Sequence, residues 1–230
     1  MELTRRSLVA GTAAALAGAA AAAVAPRAMA NEAANIPAEW DAEADIIAIG
    51  GGAAGLSAAI EGADQGITTI VLESQGICGG NSLRCNGGMS IPGSPLQEQM
   101  GIEDSPEKMY NDLVNWFKVD YDDTYVRMLC DLNGTMLWDW LTAMGIEFRE
   151  AGLVQSNAHS VPREHHTSMS ALIDTLQANA EAKGARIDFE THADHLVQDP
   201  ATKRIIGVQA TGPDGQTLYY KAKKAVMLCN

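Results

Sequence analysis

Three glycines and a later glutamate have the spacing of a nucleotide-binding turn. Gly50, Gly52 and Gly55 form a G-x-G-x-x-G pattern, and Glu73 ends the apolar stretch that comes next. In such a turn the first glycine permits a tight bend, the second lets the backbone approach a pyrophosphate, and the third lets a helix pack closely on a strand. The acid can then accept hydrogen bonds from a ribose diol. The spacing predicts dinucleotide binding rather than a ligand-free turn, with contacts from Gly50, Gly52, Ala53, Ala54, Gly55, Glu73 and Ser74.

The secondary structure expected around this turn is the one that phosphate binding requires. Residues 45–49 form a short aliphatic strand, small residues open a helix over 56–66, and residues 69–73 form a second strand. The helix N-terminus offers N–H groups that have no partner within the helix, together with the positive end of its dipole. Both favour a phosphate at the carboxyl end of the first strand. The sequence therefore predicts a Rossmann-like βαβ unit.

A second glycine-rich segment, residues 79–89, follows almost at once. It reads G-G-N-S-L-R-C-N-G-G-M at a point where a nicotinamide-binding unit would continue with another helix. A loop of this composition can wrap a pyrophosphate with backbone N–H groups and short side-chain donors. The expected cofactor contacts therefore also include Gly79, Gly80, Asn81, Ser82, Gly87, Gly88 and Met89.

This second segment resembles the flavin-binding loop of the fumarate reductase flavoprotein family, which includes urocanate reductases and 3-ketosteroid dehydrogenases. The family pattern reads roughly G-G-N-[ST]-x-x-A-x-G-G-[MI], and Cys85 stands here in place of the small alanine. The resemblance covers nearly all of residues 45–230 and implies FAD as the cofactor. Asn81 occupies the position of the flavin-linking histidine of the quinone-coupled relatives, which implies that the FAD is bound non-covalently.

The resemblance also implies an architecture. It is an α/β fold, a Rossmann-like FAD-binding domain with a parallel sheet, helices and a three-stranded antiparallel meander. In relatives the backbone near Ala193 approaches the adenine, and the return strand, which ends here at Cys229, reaches the adenosine. The match is to the N-terminal part of a family member, so we expect a domain that is incomplete at its C-terminus and lacks the capping domain. The catalytic acid of the family belongs to that absent part and is assigned to no residue here.

The first 30 residues resemble a twin-arginine export signal. Arg5 and Arg6 precede a stretch rich in alanine, glycine and leucine, and an A-x-A cleavage site follows at residues 28–30. The alternatives are an alanine-rich tail and an uncleaved membrane anchor. We expect a signal peptide over 1–30, a linker over 31–44 and the FAD-binding domain over 45–230. The twin-arginine translocase would then be an export partner, and the location periplasmic or cell-surface.

The activity that the resemblance implies is hydride exchange between FAD and an activated carbon–carbon double bond of a small-molecule substrate. The chain contains no C-x-x-C-H haem motif, so the electron donor would be a separate cytochrome or quinol-linked partner. Two alternatives remain. One is an FAD oxidase of a sister class, whose second loop usually contains R-x-G-G-R. The other is a truncated, non-catalytic flavin-binding fragment, which would expose apolar surface.

A polar loop over residues 155–167 contains three of the five histidines of the chain. His159, Arg163 and His165 are possible cavity residues near the flavin or the substrate, because relatives carry a similar x-V-x-R-x-H segment. The alternative is a solvated loop whose side chains cap a helix or pair with Glu164. The spacing of the histidines lacks a fourth ligand for zinc, so no metal site is expected.

Composition limits the other functions. The chain has 230 residues, 47% of them hydrophobic, which is enough for one sizeable core. Its net charge of −13 argues against nucleic acid as a partner. The four cysteines form no C-x-x-C pair, which favours packing roles over a zinc site or a disulfide framework.

The remaining pattern alternates helices with a β-rich end. It predicts helices near residues 105–117, 123–130 and 136–144, a short strand over 146–148 and a helix over 168–182. The end of the chain is expected to contain a strand over 185–190 that continues into 191–197, then strands over 204–210, 217–220 and 225–229.

Overall fold

A computed structural model describes residues 36–117, 119–149 and 152–230. The export signal expected over residues 1–30 lies outside these ranges, as does the first part of the expected linker. The strands are β1 (Ala42–Ile49), β2 (Thr69–Leu72), β3 (Gly88–Ser90), β4 (Glu164–His166), β5 (Arg186–Asp188), β6 (His192–Gln198), β7 (Ile205–Thr211) and β8 (Thr217–Leu228). Six of them form one sheet in the order β5-β2-β1-β8-β7-β6, and β3 and β4 form a separate two-stranded ribbon.

The sheet is parallel in one half and antiparallel in the other. β1 pairs in parallel with β2 and β8, and β2 with β5, whereas β7 is antiparallel to both β6 and β8. β1 lies between β2 and β8, and its residues Ile47 and Ala48 are both fully buried. This burial is expected for a parallel strand that is covered on both faces. This arrangement confirms the predicted α/β class, with its parallel sheet and antiparallel meander.

The register of the parallel strands sets the place of the functional residues. Ile49 in β1 lies opposite Leu72 in β2 and Leu228 in β8. Parallel strands end at the same edge, so the residues that follow them in the chain, Gly50 and Glu73, emerge side by side next to Cys229. The carboxyl edge of an open α/β sheet is where ligands usually bind.

Two helices cover one face of the sheet. Helix α1 (Ala53–Asp64) begins directly after the glycine turn, and a later helix, Met169–Ala182, packs against it. Small residues on α1 allow this close approach. The main hydrophobic core lies between the two helices and the sheet and includes Ala48, Leu56, Ala59, Ile60, Val71, Leu172, Ile173, Leu176 and Ala180.

The segment between these helices contains several short helices. It contains a 3₁₀ helix over Gly80–Arg84 and the helices α2 (Pro95–Gln99), α3 (Pro106–Trp116), α4 (Asp123–Leu132) and α5 (Trp138–Ala143), and the helix Met169–Ala182 is therefore α6. Ser94, Ser105 and Asp122 cap α2, α3 and α4 by accepting a hydrogen bond from a backbone N–H of the first turn. In the described ranges no helix has the length and apolarity needed to cross a membrane.

The strand expected over residues 146–148 is absent. Ile146 is buried, but the backbone of this segment makes isolated hydrogen bonds rather than a strand ladder. The Arg149 N–H donates to the His166 carbonyl, and the Glu147 carbonyl accepts from Thr167 Oγ1. The neighbouring strand is β4, which the sequence placed inside a polar loop. It forms because its residues pair antiparallel with β3, a contact that sequence periodicity does not encode.

Three strand boundaries differ from the expected ones. β1 begins at Ala42 rather than at residue 45. The predicted continuation of one strand through residues 185–197 is wrong, since β5 and β6 lie at opposite edges of the sheet. The chain turns between them at Glu190, which has a φ of 50°, and the N–H of Thr191 donates to the Glu73 carbonyl. The last two predicted strands are one strand, β8, because pairing with β1 continues through a register shift.

Candidate functional site

A cleft of about 530 Å³ opens at the carboxyl edge of the parallel strands. It lies between the turn after β1, the end of β2 and the 3₁₀ helix. Most of the residues expected to contact a cofactor line it: Gly50, Gly52, Ala53, Ala54, Glu73, Ser74, Gly79, Gly80, Asn81, Ser82 and Cys229. Two segments that are separate in the sequence therefore converge on one concave site.

The three glycines of the first turn meet different constraints. Gly50 has a φ of +108°, and a Cβ there would lie 2.8 Å from the Cys229 carbonyl oxygen. A Cβ on Gly55 would lie 2.0 Å from the Gly50 carbonyl oxygen, so this glycine allows the helix to pack on the turn. A Cβ on Gly52 would meet only Ser82 Oγ at 3.5 Å and the Gly79 carbonyl oxygen at 3.6 Å. The protein itself therefore requires Gly50 and Gly55, whereas the space beside Gly52 belongs to the cleft.

Glu73 is anchored in the cleft wall and is almost fully buried. Its Oε2 accepts a hydrogen bond from the Gly51 N–H at 2.8 Å, and its Oε1 accepts one from the Gln75 N–H at 2.8 Å. These two bonds fix the carboxylate between the first turn and the end of β2. Ser74 Oγ also donates to Oε1, at 3.4 Å. Oε2 keeps a second lone pair, so Glu73 can still accept a hydrogen bond from a ligand diol.

The second glycine-rich segment is tied to the first by two hydrogen bonds. The Gly79 N–H donates to the Gly51 carbonyl at 2.9 Å, and Ser82 Oγ accepts from the Ala53 N–H at the start of α1 at 3.2 Å. Gly79 has a φ of +124°, a conformation that favours glycine. The N-terminus of α1 and the 3₁₀ helix therefore face the same space.

The cysteines near the cleft have packing roles. Burial, and then the charge of Glu73, raises the pKa of the Cys78 thiol to about 11. Burial also raises the pKa of Cys229. Both side chains are therefore neutral thiols at physiological pH, and the nucleophilic thiolate is suppressed.

Five expected cofactor residues do not line the cleft. Gly55 is buried in α1, and Gly88 and Met89 belong to β3. Gly87 has a φ of +80°, and a Cβ there would lie 2.3 Å from the Thr167 carbonyl oxygen, so it packs against the start of α6. Ala193 lines a neighbouring pocket of about 180 Å³ that shares Asn230 with the cleft.

Sequence reasoning missed three residues that line the cleft, Gln75, Arg84 and Asn230. A signal for Arg84 was available. It lies three residues after Asn81, and the side chains of residues i and i+3 lie on the same side of a 3₁₀ helix. A sequence interpretation that treats residues 79–89 as an irregular loop has no such periodicity to use.

The three possible cavity residues of the polar loop lie inside the protein and do not line the cleft. Arg163 is fully buried, and its Nε and Nη2 donate to the two carboxylate oxygens of Asp104 at 2.6 and 2.7 Å. Its Nη1 lies 2.9 Å from Asp112 Oδ2. The alternative of a solvated loop pairing with Glu164 is therefore wrong for Arg163.

The two histidines are buried beside this arginine. His165 Nδ1 lies 2.8 Å from the Arg163 carbonyl oxygen and must donate to it, so Nε2 accepts from Ser94 Oγ at 2.6 Å. His159 Nε2 lies 3.3 Å from Ser90 Oγ. Among the described residues there is no group of three or more side chains placed to hold a metal ion.

Burial and ion pairing shift the pKa values of this cluster in a consistent way. Burial lowers the pKa of both His159 and His165, which keeps the two rings neutral. Burial by itself would raise the pKa of Asp104, but hydrogen bonds from Arg163 and Gln97 outweigh it and leave the pKa below its usual range. The cluster is an internal network in which most polar atoms are paired, and His159 Nδ1 is buried without a hydrogen-bond partner among the described residues.

Comparison with known proteins identifies the family. The family model described as the FAD binding domain matches residues 45–230. The chain belongs to the FAD binding domain family. It is similar to urocanate reductase of Eggerthella lenta, with 32% identity over 191 residues that cover 80% of this chain and 31% of that protein. It is also similar to the fumarate reductase (cytochrome) of Shewanella frigidimarina, with 29% identity over 160 residues that cover 67% of this chain and 28% of that protein.

A solved structure supports the same fold. The 3-ketosteroid-Δ4-(5α)-dehydrogenase of Rhodococcus jostii RHA1 superimposes with a TM-score of 0.75 at 26% identity, covering 83% of this chain and 46% of that chain. The chain therefore spans less than half of the length of each of these three proteins, and less than a third of the two curated relatives.

FAD is the cofactor of this family, and the cleft fits it. The missing side chain of Gly52 leaves a cradle bounded by Ser82 and Gly79 next to the N-terminus of α1, where a pyrophosphate finds backbone donors. The Glu73 carboxylate lies where a ribose diol can reach it. The volume of about 530 Å³ is in the usual range for ligand sites.

Proposed function

We propose that this chain forms the FAD-binding part of an exported flavoenzyme that exchanges hydride between FAD and an activated carbon–carbon double bond. The observation that carries the proposal is the convergence of two glycine-rich segments and Glu73 on one cleft at the carboxyl edge of the sheet. Bound FAD supplies the hydride acceptor and donor. The residues of this chain bind and orient it.

Each part of the cleft has a role in this proposal. The first turn of α1, with Gly52 beside it, binds the pyrophosphate, and Ser82 holds the second loop against it through the Ala53 N–H. Glu73 accepts from the ribose. Asn81 stands in place of a flavin-linking histidine and supports non-covalent binding, since an amide cannot form that bond.

The relatives support the reaction class. One is named a urocanate reductase and another a fumarate reductase (cytochrome). Both named substrates contain a carbon–carbon double bond conjugated to a carboxylate, so we propose an activated alkene of this kind as the substrate class. The cytochrome in the second name supports a separate cytochrome or quinol-linked electron donor for this chain.

FAD binding by the purified chain tests the cofactor site. We expect the chain to quench the fluorescence of added FAD and to release the flavin intact on acid denaturation, because no covalent bond holds it. Gly52→Val should weaken FAD binding at least about tenfold, since its side chain fills the cradle while its backbone conformation suits valine. Gly76→Val is the matched control, because a Cβ there meets nothing within 4 Å.

Two outcomes would contradict this placement. Unchanged FAD affinity in folded Gly52→Val would mean that the pyrophosphate lies elsewhere. Flavin that stays with the denatured polypeptide would show a covalent linkage and overturn the role of Asn81. Circular dichroism of each variant separates loss of binding from loss of the fold.

A non-catalytic flavin-binding fragment is the second candidate, and one surface favours it. Tyr125, Met128, Leu129 and Leu132 are exposed along one side of α4, together with Met136. An apolar stripe of this kind is usually covered by other polypeptide. Oxidation of a reduced dye by fumarate or urocanate in the presence of the FAD-loaded chain distinguishes the two: turnover supports the enzyme, and flavin binding without turnover supports the fragment.

Export is supported by the sequence of residues 1–30. We propose that Arg5 and Arg6 direct the chain to the twin-arginine translocase and that cleavage follows residue 30. The double substitution Arg5→Lys with Arg6→Lys should leave the uncleaved chain in the cytoplasm of a host that has this pathway. Cleavage and export of that variant would contradict the proposed pathway.

A further inference from the structure

We propose that Arg84 provides the positive charge that binds the pyrophosphate of FAD in this cleft. The inference rests on the proposed FAD-binding function and deepens it. It concerns a residue that the family pattern leaves unspecified, because position 84 falls on the second x of G-G-N-[ST]-x-x-A.

The position of Arg84 in the 3₁₀ helix directs it to the cleft. The helix runs from Gly80 to Arg84, and both Asn81 and Arg84 line the cleft. The two residues are one 3₁₀ turn apart, so their side chains lie on the same side of the helix. The same helix contacts the N-terminus of α1 through Ser82 and Ala53. Arg84 therefore lines the same cleft as the backbone donors that favour a phosphate.

An anionic ligand in the cleft needs a cation to offset the negative charge around it. Among the described residues that line it, Glu73 and Arg84 carry the formal charges. Glu73 is anchored by two backbone N–H groups, and its charge repels an anionic ligand. The chain as a whole has a net charge of −13, which adds to that repulsion. Among the described residues that line the cleft, Arg84 is the cation that can offset this repulsion.

Arg84 is available for a ligand. It is exposed, and in the part of the chain that the structure describes it has no carboxylate within ion-pair distance. Arg163 and Arg186, by contrast, are each engaged by a carboxylate at 2.6 Å. The planar guanidinium can donate two parallel hydrogen bonds to phosphate oxygens, which a lysine ammonium cannot do in the same geometry.

The main competing location for Arg84 is the flavin ring. A cation at the pyrophosphate affects every ligand that carries a diphosphate and no ligand that lacks one. A cation at the ring affects riboflavin as well as FAD. Binding of FAD, ADP and riboflavin therefore separates the two locations.

The experiment measures these three affinities for the full chain and for Arg84→Met, Arg84→Lys and Arg204→Met. Arg204 is an exposed arginine that does not line the cleft and serves as the matched control. We expect Arg84→Met to weaken FAD and ADP binding about tenfold, since a charge-assisted hydrogen bond is lost. Riboflavin binding should stay within about twofold, Arg84→Lys should recover part of the loss, and the salt dependence of FAD binding should become shallower in Arg84→Met.

The outcomes are distinct. Equal losses for riboflavin and FAD would overturn the assignment and place Arg84 at the flavin ring. Unchanged FAD affinity in Arg84→Met would overturn it and leave the proposed function intact. A folded unsubstituted chain that binds neither FAD nor ADP would refute the proposed function, and the role of Arg84 with it.

Discussion

The cleft and the buried cluster around Arg163 use the same kinds of residue in opposite ways. In the cleft, Arg84 is exposed and Gly52 leaves open space beside the backbone of α1. In the cluster, Arg163 is fully buried, with Asp104 and Asp112 as its partners, and His165 has a hydrogen-bond partner at both ring nitrogens. One region leaves donors open to a ligand. The other pairs most of its donors internally, with His159 Nδ1 buried and unpaired among the described residues.

The difference shows why residue type alone does not identify a functional site. The polar loop with its arginine and histidines has the composition of an active site, yet its groups stabilise the protein by binding one another. They connect β4 to α2 and α3, and β4 pairs with β3 next to the second glycine-rich segment. The cluster therefore joins the two-stranded ribbon to these helices, away from the residues that line the cleft.

The largest effect is expected from breaking the buried ion pair. Arg163→Met leaves the Asp104 carboxylate buried without its partner, and such a loss costs about 3–5 kcal/mol of unfolding free energy. Arg127→Met is the control, because Arg127 is half exposed and pairs with Glu107 at the surface, where water screens the charges, and it should cost far less. Urea denaturation measures both.

A double variant sharpens this prediction. Arg163→Met leaves a buried negative charge without its partner, and Asp104→Asn removes that charge. The double variant should therefore lose less unfolding free energy than the sum of the two single losses. Purely additive effects would contradict the assignment of Arg163 and Asp104 as one buried pair.

A smaller effect is expected at the helix start in the cleft. Gly55→Ala forces a Cβ to within 2.0 Å of the Gly50 carbonyl oxygen, so the turn must move. Overpacking of this kind costs about 1–3 kcal/mol, and the shifted turn should also weaken FAD binding. Gly76→Ala, where the new Cβ meets nothing, should leave both quantities unchanged. Equal behaviour of the two alanine variants would contradict the close packing of α1 on the turn.

The smallest effect concerns pH. The pKa values of His159 and His165 are lowered from 6.5 by burial, so below about pH 6.5 the unfolded chain binds protons that the folded chain does not. The free energy of unfolding should therefore fall as the pH is lowered from 7.5 to 5.5. His165→Gln should make that fall shallower, as measured by the urea midpoint at each pH. An unchanged slope would mean that His165 takes up a proton in the folded state.

The sequence anticipated the parallel core of the fold and the elements of the cleft, because both depend on short-range patterns. One local unit contains the strand, the three spaced glycines and a helix with small residues. Each glycine is needed for a tight turn or for a close approach to its backbone. The sequence did not anticipate β4 or the separation of β5 from β6. Strand β4 exists through its pairing with β3, and the chain between β5 and β6 bends at Glu190, where neither composition nor periodicity signals a turn.

The sequence by itself determined the α/β class, and it predicted a dinucleotide-binding turn and a flavin-type second loop. These follow from residue spacing along a few turns of chain. Only the tertiary structure decided which arginine can bind a ligand. Asp104 and Arg163 are separated by 59 positions, and folding brings them into a buried pair, whereas Arg84 stays in the cleft with its guanidinium free of carboxylates among the described residues. Burial and long-range pairing set the charge that a site presents, and neither is a property of local sequence.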